Sequence, residues 1–122
     1  MARAVWFDIP VADMTRAIAF YEALTAEKLI RLPVGSEKET AIFAAADGGA
    51  AGCLFAAPED APSHFGSRVY LDAGPSIDAW LARVEPAGGR ILVPKTEITG
   101  GRGVYAYVED SEGNRIGLNS PA

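Results

Sequence analysis

Apolar positions along the chain switch period repeatedly, from two to nearly four and back. Residues 4–9 are apolar apart from Asp8 and stop at Pro10, which predicts a short strand with Trp6 and Asp8 on one face and Phe7 and Ile9 on the other. Asp13 follows as a helix N-cap, and Met14, Ala17, Ile18, Tyr21 and Leu24 then fall on one helical stripe. That spacing predicts a helix over about residues 14–27. Three β-prone pieces come next, at about 29–32, 40–45 and 51–55, the last two separated by the hairpin signal Asp47-Gly48-Gly49. Residues 56–65 carry Pro58, Pro62, Glu59, Asp60 and His64, and read as a linker.

The pattern then repeats. Residues 68–72 alternate as a strand, Ser76 is placed to cap a helix, and Ile77, Trp80, Leu81 and Val84 make its apolar stripe. Pro86 and Gly88-Gly89 are expected to stop that helix. Residues 90–94, 103–109 and 115–119 read as strands, the last two joined by Asp110-Ser111-Glu112-Gly113-Asn114. Trp6 and Arg68 occupy matching places 62 positions apart in a chain of 122 residues, so two strand-helix-three-strand units of about half the chain each fill the sequence. One helix covers only part of one sheet face per unit, so pairing of the units, and of two chains, is expected.

Composition narrows the chemistry. One domain is expected from 122 residues. A net charge of −5 argues against a general nucleic-acid binder. The single cysteine, Cys53, forms no internal disulfide or cysteine-rich zinc site, and the single histidine, His64, excludes a centre with two imidazoles from one chain. No apolar run reaches membrane-spanning length, and Asp8, Pro10 and Asp13 interrupt any leader pattern, so a cytoplasmic protein is expected.

Three stretches, IPVADMTRAIAFYEAL (residues 9–24), VYLDAGPSIDAWLARVEPAGGRIL (69–92) and YVEDSEGNRIGL (107–118), resemble in order and spacing the glyoxalase/bleomycin resistance/extradiol dioxygenase (vicinal oxygen chelate) superfamily. The resemblance implies an α+β fold in which two paired βαβββ modules, about 1–57 and 66–122, form a curled mixed sheet with a cleft. It also implies a homodimer. Metal-dependent members of that superfamily place a His or Glu at four cleft positions. By motif these fall here at Trp6, at Gly52 or Cys53, at Arg68, and at Gly117, where Ile116-Gly117-Leu118 stands in place of an I-E-L pattern. Such residues do not suit a divalent metal, so no metal and no cofactor is expected.

The candidate ligand-binding residues are Trp6, Asp8, Phe43, Cys53, Arg68, Tyr70, Lys95, Tyr105 and Tyr107. Trp6 offers an aromatic wall and Arg68 a cationic anchor for an anionic or carbonyl ligand; the opposing possibility is that Arg68 pairs with Asp8 and Trp6 is core. Asp8 is expected to orient Arg68 rather than act as a base, because an arginine neighbour weakens a carboxylate's basicity. Tyr70 shares the Arg68 face, while the face of Tyr105 and Tyr107 is left open. Phe43 also suits the core, Cys53 an inert buried thiol and His64 a solvated linker. The glycine-rich loop at 95–103 is expected to form a cleft rim bearing Lys95. The expected function is metal-independent binding or sequestration of a partly apolar small molecule. The alternatives are an isomerase or lyase using Asp8 and Arg68, and a protein partner engaged through the acidic surface.

Overall fold

The computed structural model describes residues 2–32, 39–45, 47–56 and 59–122. In the first module β1 (Asp8–Pro10) leads into α1 (Met14–Thr25), followed by β2 (Ile30–Arg31), β3 (Glu39–Ala44) and β4 (Ala50–Ala56). The second repeats the order with β5 (Tyr70–Asp72), α2 (Ile77–Ala87), β6 (Arg90–Glu97), β7 (Val104–Glu109) and β8 (Arg115–Ser120). The sheets run β1-β4-β3-β2 and β5-β8-β7-β6, with β1 parallel to β4 and β5 parallel to β8. The expected pair of βαβββ modules is therefore present. Its strands form two four-stranded sheets, and no ladder joins them among the described residues.

Local chemistry accounts for the elements. Asp13 caps α1 by accepting from the Arg16 N–H at 3.0 Å, and Ser76 caps α2 by accepting from the Asp78 N–H. The second helix runs through Pro86 into its last turn and ends at Gly88, whose φ of 107° is a left-handed cap. Pro10 is tolerated because β1 is an edge strand and Val11 supplies the next N–H to Phe55. The first strand is shorter than its apolar run, although the Cys53 N–H still donates to the Phe7 carbonyl before it begins. The Asp47–Gly49 turn is tied by Gly49 N–H donating to the Asp47 carboxylate; Ala46, with residues 57 and 58 of the linker and module boundary, lies outside the described residues.

Buried Phe20, Tyr21, Leu24, Ile77, Val84, Leu54 and Leu118 belong to one core in which the helices pack against each other and against their own sheets. Burial of this apolar surface is the main drive for docking the modules. A polar clasp fixes how they dock. Asp110, 3% exposed, accepts from the Tyr21 hydroxyl at 2.6 Å, from Asn114 Nδ2, and from the N–H groups of Glu112 and Asn114. Burial, reinforced by Asp110, holds the Tyr21 phenol well above its usual pKa, so it remains a donor. Asn114 also donates to the Pro10 carbonyl at 2.7 Å.

Next to it, the Glu112 carboxylate accepts from the N–H groups of Ala12 and Asp13 and from Arg16, at the start of α1. Burial opposes its ionisation, but Arg16 and the backbone donors outweigh this and hold its pKa below the usual value. A depressed folded pKa contributes stability that is present above the unfolded value, about 4.5, and is lost as pH falls through the folded one. Glu112→Gln is therefore expected to be less stable than the parent at neutral pH, with the gap closing below about pH 4.5. Urea unfolding at a series of pH values measures this; a gap that stays constant contradicts it.

Candidate functional site

The sheet faces turned away from the helices carry the candidate chemistry. In the second module Tyr70 stands opposite Gly117, and Gly117 opposite Tyr107, which puts Tyr70 and Tyr107 on one face. Their hydroxyls are 2.8 Å apart. Arg68 donates from Nη1 to the Tyr70 hydroxyl at 3.5 Å, and its guanidinium lies 4.2 Å over the Tyr107 ring. The Tyr105 ring continues the surface, 5.1 Å from that of Tyr107. Burial raises the Tyr70 pKa, but the hydrogen bonds of Tyr107 and Arg68 and the charges of Arg68 and Arg115 outweigh it, so the net shift is downward. Tyr107 shifts upward, first because of its bond to Tyr70.

Among the described residues no carboxylate pairs with Arg68. The expected Asp8–Arg68 contact is not formed. Asp8 accepts instead from Trp6 Nε1 at 2.9 Å and from the Cys53 thiol at 3.1 Å. This follows from the register, which sets Asp8 directly opposite Cys53 in its own sheet. The thiol, buried and beside that carboxylate, is pushed up to about 12 and is a poor nucleophile.

Trp6, Arg68 and Tyr70 line one cleft of about 390 Å3 where the modules meet, together with Val5 and Val69. Tyr70 also borders a groove of about 790 Å3 with Asp72, Arg102 and Asn119, whose rim is the glycine-rich loop around Gly101 and Gly103. The loop thus borders this groove and not the cleft of Trp6 and Arg68, and Lys95 reaches Asp78 on α2 at 3.3 Å. Two register shifts in β6 break the alternation that would place Lys95 by counting. Phe43 is likewise displaced from the candidate site: its ring packs on Phe7 at 5.6 Å and on Tyr21 at 5.5 Å, against the core. His64 is not a solvated linker residue; its Nε2 lies 2.6 Å from the Glu109 carboxylate, which Arg90 also holds.

Sequence reasoning missed Arg115. It shares the strand face of Gly117 and Asn119 by alternation on β8, and its charge reaches Tyr70. The Nε atoms of Arg68 and Arg115 are both buried without a hydrogen-bond partner. Two-residue counting from Gly117 would have found it.

The register bears on the four positions that the resemblance matched to metal ligands. Cys53, not Gly52, matches Gly117, because each stands opposite the residue two after Trp6 or Arg68. The set is thus Trp6, Cys53, Arg68 and Gly117. Tryptophan offers no lone pair, arginine repels a cation, glycine has no side chain, and the thiol is held protonated on Asp8. These residues do not fit a metal of this kind. Among the described residues no group of three or more His, Cys, Asp or Glu side chains is placed to hold a metal ion.

The sequence matches the family described as the glyoxalase/bleomycin resistance protein/dioxygenase superfamily over residues 3–118, and the chain belongs to it. "Putative glyoxylase CFP32" of Mycobacterium tuberculosis (strain CDC 1551 / Oshkosh) is 26% identical over 117 residues, covering 93% of this chain and 43% of that protein. The chain therefore spans less than half the length of the curated relatives it matches. Among solved structures, TnmS3, an antibiotic binding protein from Streptomyces sp. CB03234, superposes with a TM-score of 0.66 at 24% identity, covering 100% of this chain and 98% of its own. A glyoxylase/bleomycin resistance protein/dioxygenase domain from Frankia sp. EAN1pec gives 0.71 at 14% identity, with 98% of both chains covered. These likenesses establish the fold.

Proposed function

We propose that the chain is a metal-independent binding protein that holds a small, partly apolar ligand with an anionic end in the cleft between its modules. The observation that carries this reading is Arg68. Its charge is stacked on Tyr107, bonded to Tyr70, free of any described carboxylate and set beside Trp6 in a 390 Å3 cleft. An unpaired cation among aromatic rings suits a ligand that brings both the counter-charge and an apolar body. The antibiotic-binding neighbour of full-length coverage supports the same reading.

An isomerase or lyase would need Asp8 free to move a proton near Arg68. Asp8 holds Trp6 and Cys53 instead, so the geometry favours binding. A homodimer accords with exposed Ile30 and Ile91, which lie on the outer edge strands of the two sheets. No helix among the described residues is long and apolar enough to cross a membrane, and the cytoplasm is the proposed location.

A thermal-shift screen of aromatic carboxylic acids and phenols in the presence of a chelator tests the reading. Stabilising compounds are expected, and Arg68→Ala is expected to weaken them about tenfold or more, the loss of one charge-assisted contact. Stabilisation that needs added Zn, Ni, Fe or Mn contradicts the metal-independent part; none under any condition favours a protein partner.

A further inference from the structure

A row of charged residues crosses the second sheet. Register places Arg90 opposite Glu109, and Glu109 opposite Arg115. Continued two residues back from Tyr70 and Gly117, the parallel pairing sets Arg115 beside Arg68. The Gly117 N–H donates to the Val69 carbonyl at 2.8 Å, which keeps that register as far as Val69. The carboxylate of this row is already engaged. Glu109 accepts from Arg90 Nε at 3.0 Å and Nη2 at 3.2 Å, and lies 2.6 Å from His64 Nε2. Arg68 and Arg115 are left side by side on one sheet face, and neither forms an ion pair among the described residues.

Both guanidiniums remain open at their outer ends. Arg68 donates to Tyr70 from Nη1 and stacks on Tyr107. Both Nε atoms are enclosed and unpartnered, whereas Nη2 of Arg68 and the two Nη atoms of Arg115 are neither enclosed nor bonded among the described residues. The two charges act together on the Tyr70 phenol, which lines the 390 Å3 cleft. Neighbouring strands lie about 4.8 Å apart, so like charges placed beside each other there repel. An oxyanion at the open edge of each guanidinium removes that repulsion. A ligand with one negative charge leaves one of the two cations unbalanced.

Resting on the binding reading above, we propose that Arg115 is the second half of the anion anchor, and that with Arg68 it selects ligands carrying two negative charges at one end. Two chemistries meet that requirement. Two carboxylates on neighbouring carbons give each arginine its own partner, and one doubly ionised phosphoryl group is shared between them. The apolar body of the ligand lies along Tyr70 and Trp6, which line the same cleft as Arg68.

The test compares 2-naphthoate, naphthalene-2,3-dicarboxylate and 2-naphthyl phosphate by calorimetry at fixed ionic strength. The pH is held well above about 6, so that the phosphate is doubly ionised. The parent protein is expected to bind at least one doubly charged compound about tenfold or more tightly than 2-naphthoate. The dicarboxylate leading shows one carboxylate per arginine, and the phosphate leading shows one group shared by both. Arg115→Gln is expected to lose the preference, and Arg115→Lys, which keeps the charge without the fork, to retain part of it. Urea unfolding of the ligand-free proteins is expected to find Arg115→Gln at least as stable as the parent, because the repulsion with Arg68 is relieved. A purely structural arginine would instead give a less stable Arg115→Gln that keeps the preference, which overturns the proposal. Equal binding of the three compounds to the parent overturns it too, while 2-naphthoate binding that is lost on Arg68→Ala upholds the binding reading. If none of the three binds, both are overturned.

Discussion

Asp110→Ala is expected to lower stability by about 3–5 kcal/mol, the range for breaking a buried charged network. The carboxylate is 3% exposed and takes four hydrogen bonds, one of them from Tyr21 in the other module. Alanine leaves the Tyr21 hydroxyl and Asn114 Nδ2 facing a dry gap, and the β7–β8 turn loses the acceptor that closes it. A domain of this size has roughly 5–15 kcal/mol of stability, so a large share disappears. Asp110→Asn should fall between, since its amide oxygen can still serve the two backbone donors. Urea unfolding of the three proteins measures this. A loss below about 1 kcal/mol for alanine would show that the clasp does not hold the modules together.

Gly117→Ala is expected to disable the cleft. An added Cβ would sit 2.4 Å from the Tyr70 ring, closer than atoms can approach. Overpacking of this kind costs about 1–3 kcal/mol when neighbours are locked. Tyr70 is half exposed, so its ring can swing away, which puts the stability cost at the low end and transfers the damage to the site. The bond to Tyr107 and the contact with Arg68 are then lost, and ligand affinity is expected to fall about tenfold or more. The Tyr70 phenol, now held below its ordinary pKa, should titrate in the usual range; tyrosinate absorbance against pH reads this directly. An unchanged titration together with unchanged affinity would remove Tyr70 from the account.

Much of the fold was legible because local signals agreed with one another. Asp13 and Ser76 cap the helices they precede, and the repeat of about 62 positions matches the placement of Asp8 and Tyr70 at corresponding points of β1 and β5. The shared face of Arg68 and Tyr70 also follows from simple alternation. What counting could not supply was register and reach. Phe43 belongs to the core because it stands opposite Gly52, and Phe7 fills the space that glycine leaves on the core side. Lys95 lies beyond bulges that reset the alternation. Asp8 has two polar neighbours, Trp6 just before its strand and Cys53 opposite it on β4, and no need of Arg68. The Asp110–Asn114 stretch announced a turn, but its role as an inter-module clasp depends on Tyr21, which lies 89 positions away.

The most direct test of the account is the affinity of chelator-treated, metal-free protein for 2-naphthoate, a flat apolar body with one negative charge, measured by calorimetry on the parent and on Arg68→Ala. The account predicts saturable binding to the metal-free parent, unchanged on adding Zn, Ni, Fe or Mn, and about tenfold or more weaker binding to the variant. Binding that appears only with added metal, or that is equal in the two proteins, would contradict it.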